Sequence, residues 1–466
     1  MTEPKKLILN LFEMNTVSHI THGLWTLPGN NRHRFGDLSY WTELAQVIED
    51  GGFDGVFLAD VVGAYDTFRA GPETAIREGL QIPSNDPLLV VPAMAQVTCR
   101  IGFGVTFSTS YEPPFAFARR MSTLDHLTKG RIGWNVVTSY LPNAARNFGL
   151  ADEIPHDVRY EIADEFLDVV YKLWEGSWDD DAVVVDRENR VYTDPQKVRY
   201  IDHVGEHFAV AGPHLCAPSP QRTPVLFQAT GSPAGIAFAG RHAEVVFTGG
   251  RTADDFRSNA AAMRDSAVAA GRGAGDVRFV VQAGVVVGRT EKEAATKWEE
   301  YRRNTSLDGI LAHASVALDL TAFPGTWTVR DAAIAAGTEP ERLGLPLDRT
   351  VSETLDAFRR SREDRYFVVG TPDVVADEIE RWLDDDGIDG INLRQYHSFD
   401  TARDFAELVV PELRRRGRIR DEETATFRER LFQAAPTLPE NHPARRYRNG
   451  ANLDRPREPL RFARPS

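Results

Sequence analysis

Residues 52–58 read GFDGVFL, and residues 387–393 read GIDGINL. Each copy follows an acidic helix end and leads into an apolar run. The same turn chemistry near both ends of the chain fits the first and last parts of a closed barrel of repeating strand–helix units. Outward from the first copy, Asp37 stands as an N-cap before Leu38, Trp41, Leu44, Ala45 and Ile48, an i, i+3, i+4 stripe on one helix face. Gly51-Gly52 can end that helix in the left-handed region. Upstream, residues 5–12 (KKLILNLF) read as a strand, and the first copy itself supplies a strand over 55–60.

Six more strand candidates follow, at 100–109, 131–139, 224–230, 243–249, 277–287 and 390–394, making eight. Helices fill the gaps. Residues 157–175 place Ile162, Phe166, Val169, Val170 and Leu173 on one face. Residues 371–383 open with Thr371 as N-cap and Pro372 at the first helical position, then turn Val375, Ile379, Trp382 and Leu383 inward. Alternation of this kind implies a parallel sheet covered by helices. The expected fold is an α/β protein, a (β/α)8 TIM barrel over 1–420. Insertions are expected at about 177–223, where short strands are anticipated, and at about 304–369. Residues 421–466, rich in Pro, Arg and Asn, read as an extended C-terminal arm packed on the barrel or on a neighbouring subunit.

Composition narrows the function. The chain has 466 residues, 42% hydrophobic and 26% charged, the mix of a folded globular protein. Lys+Arg 54 against Asp+Glu 68 gives a net charge of −14, which argues against nucleic acid or an anionic membrane surface as the main partner. No apolar run reaches the roughly 18 residues of a spanning helix, and the first residues lack signal-peptide character. Two cysteines, Cys99 and Cys216, exclude a disulfide framework and a four-cysteine zinc site, and a cytoplasmic location is expected.

No P-loop and no H-E-x-x-H motif is present. GRGAG at 271–275 follows a helix and precedes a strand, the wrong order for a dinucleotide fingerprint. His19 and His22 are three apart in the loop after the first strand, without a carboxylate at helical spacing, so no metal is expected. In a barrel that loop lies on the face where active sites form. Asp60, Ser108, Thr109, Asn135, Thr138 and Ser139 end strands on that same face. QATGS at 228–232 places Gly231 and Ser232 at a helix start, a ready anion site.

Several long stretches carry a family signature: NLFEMNTVSHITHGLW at 10–25, FLADVVGAYD at 57–66, QIPSNDP at 81–87, RRMSTLDHLTKGRIGWNVVTS at 119–139, HDVRYEIADEF at 156–166, SPQRTPVLFQATGS at 219–232 and VGTPDVVADEIE at 369–380. In this order they resemble the bacterial luciferase-like flavin monooxygenases. Within these the likeness is to the subgroup of nitrilotriacetate monooxygenase component A, dimethyl sulfide monooxygenase and long-chain alkane monooxygenase. It runs from residue 5 to about 450 and includes ARRYRN at 444–449.

The resemblance implies a TIM barrel that takes reduced FMN from a separate NAD(P)H:flavin reductase. O2 is activated as a C4a-(hydro)peroxyflavin, and a small or lipophilic organic substrate is oxygenated. A homodimer or homotetramer is expected. Carried over motif by motif, Asp60, Thr106 and Asn135 would lie along the flavin ring. Tyr160, Gly231 and Ser232 would hold the phosphate, and His19, Tyr65, Gln81 and His313 would line the catalytic side. Thr16 and Tyr140 would face the substrate. They depart from the alkane enzymes, which have Cys and His there, as does Ser315-Val316-Ala317-Leu318 in place of a Gly-Thr-Gly-Tyr stretch. The alternative is a deazaflavin-dependent oxidoreductase on the same fold, which O2 uptake distinguishes. A non-catalytic flavin-binding barrel, or an unrelated barrel such as a phosphosugar isomerase, fits the polar residues less well.

Overall fold

Alternate residues of each strand face opposite sides of the sheet, and here the two sides differ in kind. In the computed structural model, which describes residues 4–250, 252–361, 363, 365–421 and 426–453, Ile8, Phe57, Val225, Phe227, Val245 and Val280 form one apolar cluster. Leu9, Leu11, Val56, Leu58, Val105 and Trp134, offset by one position, belong to a second cluster beneath the helices. The first set fills the inside of a barrel and the second its outer jacket.

The barrel strands are β1 (Ile8–Met14), β2 (Gly55–Ala59), β3 (Gly102–Ser108), β4 (Ile132–Val137), β5 (Val225–Ala229), β6 (Val245–Phe247), β7 (Arg278–Val287) and β8 (Gly390–Arg394). All pair in parallel in this order, and β8 closes on β1 through Ile8↔Gly390 to Phe12↔Arg394. The eight expected strands are therefore the eight observed, and the chain is a closed TIM barrel. β1 runs later than the expected 5–12. Glu13 and Met14 stay in register with Leu58 and Ala59, because the Glu13 carboxylate is buried against Arg32 and Gln395 rather than exposed at a strand end. The last residues of β7, Gly284–Val287, leave the barrel and pair with a short outer strand, Phe367–Gly370.

The repeated GxDG sequences have a common structural use. Gly52 and Gly387 adopt φ of 77° and 84° as their helices end. Asp54 then accepts the N–H of Leu9 at 2.9 Å, and Asp389 accepts that of Phe279 at 2.8 Å, each on the preceding strand of the barrel. A Cβ on Gly55 would lie 2.7 Å from the Gly102 carbonyl oxygen, and one on Gly390 would lie 2.3 Å from that of Ile8. Only glycine lets the next strand come that close.

Residues 177–223 hold two small antiparallel hairpins, Val183–Asp186 with Val191–Thr193 and His203–Val204 with Ala209–Val210. Residues 304–369 hold three short helices, Leu307–His313, Val329–Ala335 and Val351–Arg360. The described part of the tail packs on its own barrel. Phe427 plugs the floor so tightly that a Cβ on Gly102 would lie 2.1 Å from its ring. Residues 422–425 and 454–466 of the expected arm lie outside the described residues. Among the described residues, no helix is long and apolar enough to cross a membrane.

Candidate active site

The strand ends opposite that floor surround a cavity of about 460 Å³. Asp60 lies just past β2, Thr106 is near the end of β3, and Ser139 follows β4. Gln81 reaches in from the long segment between β2 and β3. Tyr111 and Phe148 stack at 4.5 Å, with ring planes 2° apart, in the cavity wall. Burial pushes the Asp60 carboxyl up to about 7; the Val61 N–H opposes this and the Asp86 charge adds to it. Burial also raises Glu112 in the same wall, against the pull of Arg120.

Gln81 connects the cavity to a group of histidines. Its Nε2 contacts His19 Nδ1 and lies 3.3 Å from His313 Nε2. His313 Nδ1 lies 2.9 Å from His22 Nε2. The Tyr65 ring stands edge-on to His313 at 5.0 Å, and its hydroxyl meets that of Tyr140. The His19 ring stacks on Phe12 at 5.3 Å. Local structure accounts for these placements. His19 and His22 come from the loop after β1, and Gln81 is held at φ 49° while its N–H bonds the Ser18 carbonyl at 2.8 Å. His313 ends the helix Leu307–His313, whose Ser306 cap accepts from Gly309 N–H.

A third group lies beside β5. Ser232 caps the helix Pro233–His242 by accepting the Gly235 N–H at 3.2 Å, which leaves its own hydroxyl proton to donate. A Cβ at Gly235 would lie 1.7 Å from Thr230 Oγ1 and 2.6 Å from Tyr160 Oη, so both hydroxyls converge on this first turn. Thr230 Oγ1 is buried without a hydrogen-bond partner. Gly231 stays open, with nothing within 4 Å of where its Cβ would be. Pro233 brings no N–H, so hydroxyls carry much of what this helix start offers an anion.

The structure thus brings His19, Tyr65, Gln81 and His313 together, with Tyr140 joined to them at the rim and 57% exposed. It places Asp60 and Thr106 on the cavity wall. Asn135 sits behind Thr106, donating to its hydroxyl at 3.1 Å, with its own Oδ1 buried and unpartnered. Tyr160, Gly231 and Ser232 gather at the helix start. Thr16 stays out of the cavity wall: it is fully buried and its hydroxyl donates to the Pro83 carbonyl at 2.7 Å. Two residues outside the sequence-based set join these groups. In the sequence His22 reads only as a candidate metal ligand beside His19. Arg159, whose Nη1 donates to the Ser139 carbonyl, directly precedes Tyr160. Among the described residues, no group of three or more His, Cys, Asp or Glu side chains is arranged to hold a metal ion.

Residues 14–390 match the luciferase-like monooxygenase family. The chain belongs to that family. A long-chain alkane monooxygenase of Geobacillus thermodenitrificans (strain NG80-2) is 50% identical over 451 residues, covering 96% of this chain and 98% of the relative. A dimethyl-sulfide monooxygenase of Hyphomicrobium sulfonivorans is 41% identical, covering 96% and 94%. A crystal structure of a riboflavin lyase, solved with modified FMN and riboflavin, is 38% identical with a TM-score of 0.85 and covers 95% of this chain and all of the other. As a luciferase-like monooxygenase the chain is an oxygen-using oxidoreductase, with its polar groups on the barrel face where that fold does its chemistry.

Proposed function

We propose that this luciferase-like monooxygenase is the oxygenating component of a two-component system. It would accept FMNH2 from a separate NAD(P)H:flavin reductase and insert one atom of O2 into a small or lipophilic organic substrate. The observation that carries this reading is the convergence of His19 and His313, with Tyr65 packed against His313, on Gln81, a residue that also lines the cavity shared by Asp60 and Thr106. The resemblance to nitrilotriacetate monooxygenase component A supports a separate reductase, as does the lack of a dinucleotide fingerprint.

The residues fit FMN. Asp60 and Thr106 would lie along its ring, with Asn135 behind them holding the Thr106 hydroxyl. Tyr160, Thr230 and Ser232 would hold its phosphate. Bound reduced FMN supplies the two electrons that O2 activation consumes. The chain's own residues then exclude water and aim donors at the reacting oxygen. Gln81 and the imidazoles around it can stabilise negative charge developing there, in a site where such donors act more strongly than in water. Thr16 and Tyr140 set substrate choice, Tyr140 at the rim through Tyr65 and Thr16 through the Pro83 carbonyl behind Gln81.

The test supplies NADH, FMN, a generic flavin reductase and ¹⁸O2, with alkane, thioether, amine and chloroaromatic candidates. One ¹⁸O atom in a product supports the reading. Turnover with a reduced deazaflavin and without O2 uptake would replace it with the hydride-transfer alternative.

A further inference from the structure

His22 is 1% exposed and does not line the cavity. It is nevertheless fixed to the helix that delivers His313. The His22 carbonyl accepts the Ser306 N–H at 3.0 Å, and a Cβ on Gly309 would lie 3.0 Å from the His22 Cβ. Through His313 and Gln81, the ring of His22 belongs to one chain of hydrogen-bonding atoms.

The chemistry of that chain is restrictive. A neutral imidazole has one donor nitrogen and one acceptor nitrogen, and a carboxamide nitrogen only donates. With Gln81 Nε2 facing the rings, His19 Nδ1 and His313 Nε2 must both accept. Their protons then sit on His19 Nε2 and His313 Nδ1. His313 donates to His22 Nε2, so His22 carries its proton on Nδ1. Rotating the carboxamide by half a turn gives the other consistent set, in which Oε1 accepts from His19 Nδ1 and His313 Nε2 while His22 Nε2 donates back to His313 Nδ1. Any mixed set points two protons or two lone pairs at each other.

We propose that His22 is a positioning residue: by holding His313 it couples its own tautomer to that of His313 and, through Gln81, to that of His19, so the three rings change protonated nitrogen only together. Both allowed sets obey one rule. His22 and His313 hold their protons on the same ring nitrogen, and His19 holds its proton on the other one. The consequence for turnover rests on the oxygenase reading above; the rule itself does not.

Two measurements test this. Long-range ¹H–¹⁵N spectra of the full-length protein, labelled at histidine and assigned by single substitutions, should show His22 and His313 as the same tautomer and His19 as the opposite one. Equal tautomers for His19 and His313, unlike tautomers for His22 and His313, or a doubly protonated ring among the three at pH 8 would overturn the proposal. The second measurement compares His22→Leu with His22→Gln in the reductase-coupled assay. His22→Leu should form about tenfold less product per O2 consumed, with unchanged FMNH2 affinity. His22→Gln, whose carboxamide can donate or accept, should stay within about threefold of wild type. Equal loss in both variants would leave His22 a merely structural role and overturn the proposal. If His22→Leu does not fold, the wild-type tautomers and His22→Gln decide. If no substrate is oxygenated, the oxygenase reading fails and the tautomer rule is judged on the spectra alone.

Discussion

Asp60 is held near the middle of its titration at neutral pH: its ordinary value of 3.8 is raised to about 7 by burial at the end of β2. Between those two values the folded protein holds a proton that the unfolded chain has lost, so stability falls as pH rises through that window, and above it the full penalty remains. Asp60→Asn should therefore raise the thermal midpoint of the flavin-free protein relative to wild type at pH 8, with little difference at pH 4. Equal differences at both values would mean that the carboxyl is not protonated in the fold. At the helix start beside β5, a hydroxyl bonding a phosphate dianion contributes roughly 1.5–3 kcal/mol. Tyr160→Phe and Ser232→Ala should each weaken FMNH2 binding about tenfold to a hundredfold, measured by anaerobic titration. Riboflavin should bind the wild type correspondingly less well. Residue identities at this scale were legible where a strand end or helix cap announced them, as with Asp60 and Ser232. Arg159 and His22 were not, because each acts through a neighbour, the Ser139 carbonyl and His313, that only the folded chain supplies.

The base of the barrel is a set of acids that serve the strands and are clamped by C-terminal arginines and by Lys5. Asp54 and Asp389 bond the N–H groups of the second residues of neighbouring strands, and Glu244 does the same for Leu226 at 3.0 Å. Arg430 and Arg420 then pair with Asp54 at 2.8 and 3.2 Å, and Lys5 pairs with Asp389 at 2.8 Å. Arg428, 1% exposed, pairs with Glu244 and also donates to the carbonyls of Thr223, Pro224 and Pro436. Removing one partner of such a buried pair strands the other, at about 3–5 kcal/mol. Arg428→Ala should lower the unfolding free energy measured by urea denaturation by that margin, while the protein that remains folded binds FMNH2 as wild type does, since the base lies opposite the cavity. A selective loss of flavin affinity instead would contradict this division of labour. The GxDG repeat was readable as a barrel signature because a left-handed glycine, a strand-bridging acid and a close-approach glycine each require their own residue type. The three helices within 304–369 were not readable in detail. Capping boxes at Thr328 and Thr350 mark two of them locally, but nothing local says that the helix before them carries His313 to Gln81.

Across the whole barrel, one face is clamped shut by ion pairs with the tail and plugged by Phe427, and the other is open, polar and rich in histidine. Fold and family were legible because the strand pattern and several long motifs agree in order along the chain. The substrate was not, because in the proposed reading it is chosen by the rim around Tyr140, Tyr111 and Phe148, where shape rather than sequence pattern decides. A chain that borrows a reduced flavin, instead of keeping and reducing its own, should distinguish the two forms when the purified, flavin-free protein is titrated anaerobically with FMNH2 and with oxidised FMN. The expected result is tighter binding of FMNH2 by about tenfold or more, the factor set by some 1.4 kcal/mol, and no reduction of bound FMN by NADH without a partner. A tightly held oxidised flavin that NADH reduces directly would contradict it.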